Sequence, residues 1–450
     1  MSSFIPDGPP ASSDPPYTCT FCGCLCDDVG LVAEGGVIVE VHRGCEAGRA
    51  RLLGLAVVDD SNPSPRIDGK GANAEDALNA AARLLRGARA PLVLGFDAST
   101  NETVQQAAAL ADRLGALIEV GDARTSWPRI TAMQRGGAVG ATLGEVKNRA
   151  DLVVFWGADP LTTHPRHWER YSVEPSGRFV PEGRGGRRVV VVDVGRTRTA
   201  EAADDFMEIR PECELNVLQV LRALLREARL DHRRVESATG CTLDDLNRLA
   251  ETLRSARYGA WFTGPLLRGG AIEQAEARGH AVTGLVRELN RTTRFVALGL
   301  GGPGNAPGAE GVLAWQSGLT PGVDFGAGHP ESRAWETTAE GRLDRGEFDC
   351  AVVVGGAALD RMTPERRLRL QSRPWVFLGA GGHEGATAAS VAFPAATPGI
   401  DGSGTMTRVD GVCLPVRAAQ KSRALSEGEW LAAIRRAVEA LDPEPEVLGS

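Results

Sequence analysis

Apolar positions in this chain gather into short unbroken runs that end in glycine or in an Asp-Pro or Gly-Pro step, and the pattern recurs seven times. The runs are "APLVLGFDA" from Ala90, "DLVVFWGADP" from Asp151, "RRVVVVDVG" from Arg187, "YGAWFTGP" from Tyr258, "RFVALGLGG" from Arg294, "FDCAVVVGG" from Phe348 and "PWVFLGAGG" from Pro374. A run that is apolar on both faces predicts a strand buried in a parallel sheet. Between several of them apolar residues recur at helical spacing, as in Leu78, Ala81, Ala82 and Leu85, or Leu218, Leu221 and Leu225, which predicts amphipathic helices. Strand alternating with helix means parallel sheets covered on both faces, with ligands beyond the carboxyl ends of the strands. The glycines and aspartates of the seven runs fall at those ends. Seven strands fit two such units better than one, with "SNPSPRIDGKGANAE" from Ser61 as the linker into them.

The amino-terminal region has another pattern. "VGLVAEGGVIVEVHRGC" alternates in character on either side of Gly35 and Gly36, which predicts a β-hairpin that returns Cys45 toward three earlier cysteines. Those lie in "YTCTFCGCLCDDVG", from Tyr17 to Gly30, and the spacing Cys19-x2-Cys22-x3-Cys26-x18-Cys45 follows. Three thiolates from one tight loop and a fourth from a returning strand can wrap an iron-sulfur cubane. A structural zinc site, which usually takes two C-x2-C pairs, is the alternative and finds only one pair here. Cys24 is surplus to the motif and reads as a small packing residue.

Composition narrows the function classes. At 450 residues with a net charge of -8 and interleaved signs, the chain has the length for more than one core and no basic stripe to track nucleic acid. The opening "MSSFIPDGPPASSDPP" reads as a flexible tail rather than a signal peptide. No apolar stretch approaches the roughly 20 residues of a membrane span. The expectation is a cytoplasmic protein, where clustered cysteines bind metal more often than they form disulfides.

Taken in order, "CTFCGCLCDD", "GCEAGRARLLG", "FWGADPLTTHPRHWERY", "VVVDVGRTRTAEAAD" and "GIDGSGTMTRVDG" resemble the B subunit of formylmethanofuran dehydrogenase, within the molybdopterin oxidoreductase superfamily. The resemblance runs from about Tyr17 to Arg417. It implies a 4Fe-4S cluster on Cys19, Cys22, Cys26 and Cys45, next to molybdenum or tungsten held by two pyranopterin guanine dinucleotides, one across each α/β domain. The implied fold is α/β: a flexible tail (1–16), a small amino-terminal iron-sulfur β-hairpin domain (17–60), then two doubly wound, interleaved parallel-sheet domains. One of these is discontinuous (75–124 plus 291–425) and encloses the other (125–290); a carboxyl-terminal helix on Ile434, Ala437, Val438 and Leu441, with a tail, fills 426–450.

Individual residues then take expected roles in cofactor binding. Gly157 follows a strand and permits close approach of a pyrophosphate, and the Asp159 carboxylate can accept from a guanine edge. Asp193 closes a strand, and Arg196 with Thr197 can grip a phosphate or guanine. Asn305, in "GGPGNAPGAEGVLAWQSG", is the polar contact of a glycine-rich loop that the resemblance sets near the metal. His164 and Arg166 complete the set; His164 and His167 in "HPRH" read as loop contacts before a metal pair. The plainer alternatives are a turn glycine at Gly157 and a capping role for Asp193. No catalytic residue is expected in this chain.

Two departures from the family bear on function. The family's cysteine ligand to the heavy metal has no counterpart: its nearest match is Thr125, with Ser126 beside it in "LIEVGDARTSWPRI", and no cysteine lies between Cys45 and Cys213. A loop that is threonine-rich in the family reads "GAGGHEGATAAS" here, and Arg49 is the one nearby cation where the family often has lysine after the fourth cysteine. One reading is therefore the largely structural B subunit of the related formyltransferase/hydrolase complex of methylotrophic bacteria, which moves a formyl group from tetrahydromethanopterin to a furan cofactor and hydrolyses it to formate without redox chemistry. The alternative is a working molybdenum or tungsten oxidoreductase, with oxygen ligation from Ser126 or Thr125. A third is a purely structural subunit whose cysteines bind nothing. Absence of room for the superfamily's closing β-barrel implies a hetero-oligomer with amidohydrolase-type and formyltransferase subunits.

Overall fold

The computed structural model describes residues 16–59, 63–264, 272–302, 304–334 and 336–442. The expected tail, apart from Pro16, and the end of the chain beyond 442 lie outside them. Near the amino terminus β1 (Gly30–Glu34) and β2 (Val37–His42) form an antiparallel hairpin about Gly35 and Gly36. Then follow β3 (Arg66–Ile67), β4 (Lys70–Gly71), β5 (Pro91–Gly95), β6 (Leu117–Val120), β7 (Leu152–Trp156), β8 (Arg188–Asp193), β9 (Asp205–Glu208), β10 (Gly259–Thr263), β11 (Phe295–Gly299), β12 (Gly322–Asp324), β13 (Cys350–Val354), β14 (Trp375–Gly379), β15 (Val391–Pro394), β16 (Gly404–Thr407) and β17 (Cys413–Val416). All seven apolar runs become strands.

They divide between two sheets. The order β9-β8-β7-β10-β11 is parallel throughout. Counted along the chain it is the 3-2-1-4-5 order of a doubly wound fold, whose direction of winding reverses between β7 and β10. The other sheet runs β12-β6-β5-β13-β14-β15-β3-β4. Its parallel centre has the 2-1-3-4-5 order, with the reversal between β5 and β13, and β12 and β3 are antiparallel additions at the flanks. The chain thus leaves the eight-stranded sheet after β6 and returns at β12.

Two expectations need adjustment. β11 begins at Phe295, beyond the expected boundary at 290, yet pairs with β10 in the five-stranded sheet. The segment read as a linker forms β3 and β4, joined by Asp68 and Gly69, both at positive φ (49° and 73°). That is the two-residue Asp-Gly hairpin turn, and it covers the edge that β15 would otherwise leave unpaired.

The cores follow from the runs. Val93, Val352, Val376 and Val391 pack with Ala107, Ala111 and Leu431 on one face of the larger sheet. The helix Glu427–Glu439 starts at a capping box on Ser426 and Glu429 and buries Trp430, Leu431, Ile434 and Val438 there. Leu441 lies past its end and is exposed. On the smaller sheet, one face buries Trp156 and Trp261 against helices, while the other packs Phe155 and Phe262 with Tyr17, Cys24 and Cys26 of the cysteine loop. The hairpin region is therefore docked on the five-stranded sheet through a shared apolar core. Among the described residues no helix is long and apolar enough to cross a membrane.

Candidate functional site

The cysteine loop is fixed at both ends before any ligand is considered. Tyr17 bridges Val29, the Cys19 N–H donates to the Cys26 carbonyl at 2.9 Å, and Leu25 turns the chain at φ 38°. The Tyr17 hydroxyl donates to Gly399 O at 2.5 Å and Thr20 to Pro398 O at 2.9 Å. Leu25 is buried against Met406 and Val416 of the β16–β17 hairpin. Cys45 caps the helix Glu46–Leu52, its sulfur accepting from the Gly48 N–H at 3.4 Å.

So placed, Cys19, Cys22, Cys26 and Cys45 line one small pocket, together with Phe21, Val29, Arg43 and Arg166. A Cβ at Gly48 would lie 3.2 Å from the Cys19 sulfur and 3.5 Å from that of Cys45, so glycine preserves a space between two thiols that any side chain would fill. Burial pushes the Cys19 thiol up to about 11 and the Cys26 thiol up to about 12. Thiolates in such a pocket would need a cationic partner, which a metal centre could supply. The four thiols border one small pocket, and among the described residues no group of three or more His, Cys, Asp or Glu side chains is arranged to hold a metal ion. Cys24 is fully buried and its thiol hydrogen-bonds with that of Cys22.

Arg166, expected among the cofactor-binding residues, lines this pocket. Its guanidinium makes a two-pronged pair with Asp28, at 2.5 and 2.8 Å, and a further bond to Glu169 at 2.8 Å. Arg170 pairs with Asp27 at 2.6 Å and lies over the Tyr171 ring, which also receives Arg408 at 5.4 Å. Arg408 in turn pairs with Asp410, whose carboxylate accepts from the Leu143 N–H at 2.6 Å. Three family-like motifs, "CDD", "RHWERY" and "TRVDG", thus meet in one charged seam. Sequence reasoning alone misses Asp27, Asp28, Arg170, Arg408 and Asp410; the signal that could find them is their place inside those motifs.

The second region lies at the winding reversals. Gly157, at φ 57°, follows β7, and a Cβ on Gly264 would fall 2.0 Å from the Gly157 carbonyl, so two backbones meet there. Asp159 faces its own chain: one oxygen accepts from the N–H and hydroxyl of Thr199. Asp193 is buried, one carboxylate oxygen has no partner among the described residues, and burial raises its pKa. Thr197 caps the helix Arg198–Ala202, and Arg196 is exposed over the Phe206 ring at 5.0 Å.

His164 and His167 are buried, and burial lowers them to about 4 and about 3. The Thr163 hydroxyl donates to Asp159 O at 2.9 Å, so its 2.9 Å contact with His164 Nδ1 is a donation from the imidazole. Among the described residues Nε2 of each histidine has no hydrogen-bond partner. No third ligand joins the pair among the described residues.

Asn305 is held by protein contacts. It is fully buried, its amide donates to Ser99 O and Asn101 Oδ1 at 2.9 Å each, and its carbonyl accepts from Thr407 N at 2.6 Å. It ties three segments together rather than presenting a polar group to a ligand.

Thr125 and Ser126, the nearest match to the family's cysteine, both have protein partners. Thr125 is exposed and donates to Asp122 O at 3.0 Å; Ser126 is buried and donates to the Glu310 carboxylate. Both hydroxyls are thus engaged by protein oxygens.

At the other reversal, Glu427 is buried beneath Ser99, which donates to it at 2.6 Å, and burial raises its pKa from 4.5 to about 7. Between those values the folded protein holds a proton that the unfolded chain has released, so stability declines as pH rises through that window and stays reduced above it. Glu427→Gln is expected to raise the melting temperature at pH 8, by the equivalent of about 1–3 kcal/mol, and to change little at pH 4.5. An equal effect at both pH values would show that the carboxyl is not held protonated.

No protein-family model matches the chain. It is 32% identical, over 408 residues, to the B subunit of the tungsten-containing formylmethanofuran dehydrogenase 2 of Methanocaldococcus jannaschii, covering 89% of this chain and 92% of that one. It is 27% identical over 288 residues to the B subunit of the formyltransferase/hydrolase complex Fhc of Methylorubrum extorquens, covering 64% of this chain and 73% of the relative. The crystal structure of that organism's FhcABCD complex with methylofuran contains a chain that superposes with a TM-score of 0.68 at 25% identity, covering 84% of this chain and 99% of that one.

Proposed function

The chain belongs to the family of formylmethanofuran dehydrogenase B subunits, and on that premise we propose that it is the B subunit of a hetero-oligomeric one-carbon complex, mainly a scaffold, which transfers a formyl group from tetrahydromethanopterin to a furan cofactor and hydrolyses it to formate. The observation that carries this reading is the engagement of Thr125 and Ser126 with Asp122 and Glu310 at the position where the resemblance calls for a metal-bound thiolate. A soft sulfur ligand is replaced by hydroxyls that already have partners.

The domain plan proposed is a cluster lobe at 17–60 on two interleaved α/β units. Cys19, Cys22, Cys26 and Cys45 would hold a 4Fe-4S cluster, which supplies one-electron capacity when bound. The chain's own residues do the rest. The Arg166–Asp28 and Arg170–Asp27 pairs fix the half-buried loop on the five-stranded sheet. At the strand ends Gly157 and the unpartnered Asp193 oxygen remain for a pterin dinucleotide, as do His164 and His167. The proposed partners are amidohydrolase-type and formyltransferase subunits, in a cytoplasmic assembly.

A second reading is favoured by one observation. The relative at 32% identity, aligned over nearly its whole length, is named as tungsten-containing, whereas the Fhc relative aligns over 288 residues only. On that reading the chain serves a molybdenum or tungsten oxidoreductase interconverting carbon dioxide and formate or a formylated amine. The fate of the formylated furan cofactor in the purified complex separates the two: hydrolysis that stops at formate, with an added redox dye left unreduced, supports the first, and carbon dioxide formed with two-electron reduction of the dye per formyl group supports the second.

A further inference from the structure

The side chains at the place of the missing thiolate do more than fail to bind metal. Ser126 lies in the helix Ala123–Gly136, and its buried hydroxyl donates to one oxygen of Glu310. Arg129, one turn further along the same helix, donates to the other oxygen. Glu310 lies in the helix Ala306–Ser317, with its side chain only 13% exposed. A Cβ on Gly121 would come within 3.8 Å of the same carboxylate, which puts it beside the carboxyl end of β6. Both oxygens of a nearly buried anion are thereby satisfied, one by a hydroxyl and one by a guanidinium, as such an anion requires.

We propose that Ser126, Arg129 and Glu310 form a lock that joins these two helices by protein contacts alone, across the place where the family resemblance puts a metal's protein ligand. A metal bound there would tie the first helix to a cofactor; here a carboxylate from the second helix takes that role. Glu310 belongs to the glycine-rich segment that the resemblance sets near the metal, and it is easily missed because an acid in a helix of small residues looks like surface. Loss of either partner strands the other: without Glu310 the Ser126 hydroxyl, 4% exposed, has no acceptor, and unpaired buried groups are costly. The inference rests on the scaffold reading for its meaning and on this geometry for its existence.

The test is a double-mutant cycle on the purified complex with Ser126→Ala, Glu310→Ala and the pair, read by thermal unfolding. Each single change is expected to lower the melting temperature by about 2 °C or more, and the double by little more than the larger single, because both remove one shared interaction. Shifts that simply add overturn the lock. Amide exchange in Ser126→Ala, the milder change, covers a failure of the Glu310 variant to fold. Exchange in the helix Ala123–Gly136 should quicken about tenfold while that in Glu427–Glu439 holds, and unchanged exchange in both overturns the lock. Tungsten or molybdenum in the complex defeats the scaffold reading without altering the cycle, and additive shifts defeat the lock whatever the metal content.

Discussion

Cys26→Ser is expected to strip iron from the purified complex, lowering iron per chain by about tenfold or more, and to abolish the brown absorbance of a cluster. Cys26 is 6% exposed, its carbonyl closes the loop by accepting from Cys19 N, and its side chain shares a core with Phe155 and Phe262 of the sheet below. A serine there would be a hard, protonated oxygen in a place built for thiolate. Because ligand binding and local folding are linked, the hairpin should loosen with the loss of iron, and proteolysis near Gly35 and Gly36 would report it. Cys24→Ser serves as the contrast, since Cys24 is not assigned to the ligand set; it should keep its iron. If Cys26→Ser retains full iron, or if neither protein contains any, the thiols hold no cluster.

Gly95→Ala should be severely damaging to the larger sheet, at a cost of about 3 kcal/mol or more. Gly95 ends β5 at φ 121°, and a Cβ on it would lie 2.0 Å from the Val354 carbonyl oxygen of β13. These two residues are register partners at the winding reversal, so the clash is with backbone inside the sheet and no rotamer can relieve it. Gly299 ends β11 at the edge of the other sheet, where the nearest atom to a Cβ is Thr263 Oγ1 at 4.0 Å. Gly299→Ala should therefore be neutral within about 0.5 kcal/mol. Comparable melting temperatures for the two variants would contradict the tight crossing at β5 and β13.

The pattern of apolar runs makes the central strands legible because each is buried on both faces and long enough to stand out, as in Val189 to Val192 or Val352 to Val354. Strands escape where burial is partial or the run is short. β9, "DFME", carries its polar ends on the edge of a sheet, and β3 and β4 have two residues each; the Asp-Gly turn between them is readable but lies in a stretch that reads as a linker. The assignment of β11 depends on which neighbour it pairs with, and that choice is made by the tertiary structure. The cysteine spacing is equally legible, since three of the four thiols are neighbours in sequence.

Other parts of the candidate site are hidden by distance along the chain. Arg166 meets Asp28 across 138 residues and Ser126 meets Glu310 across 184; nothing local in either segment announces the partner. Asn305 misleads for the same reason: a lone amide in a glycine-rich loop looks free until Ser99, Asn101 and Thr407 arrive around it. Asp159 and Thr197 likewise turn inward, to a threonine and a helix cap. Residue type and spacing identify which groups carry chemistry, and packing decides which of them are already used.

Iron in the thiol pocket and a heavy-metal site that has lost its sulfur ligand and been closed by Glu310 are two expectations that a single experiment reads together. That experiment is elemental analysis of the purified complex, grown with molybdate and tungstate supplied. The expected result is about four iron atoms per chain with neither molybdenum nor tungsten; either of those metals at about one per chain, or a complex free of iron, would contradict it.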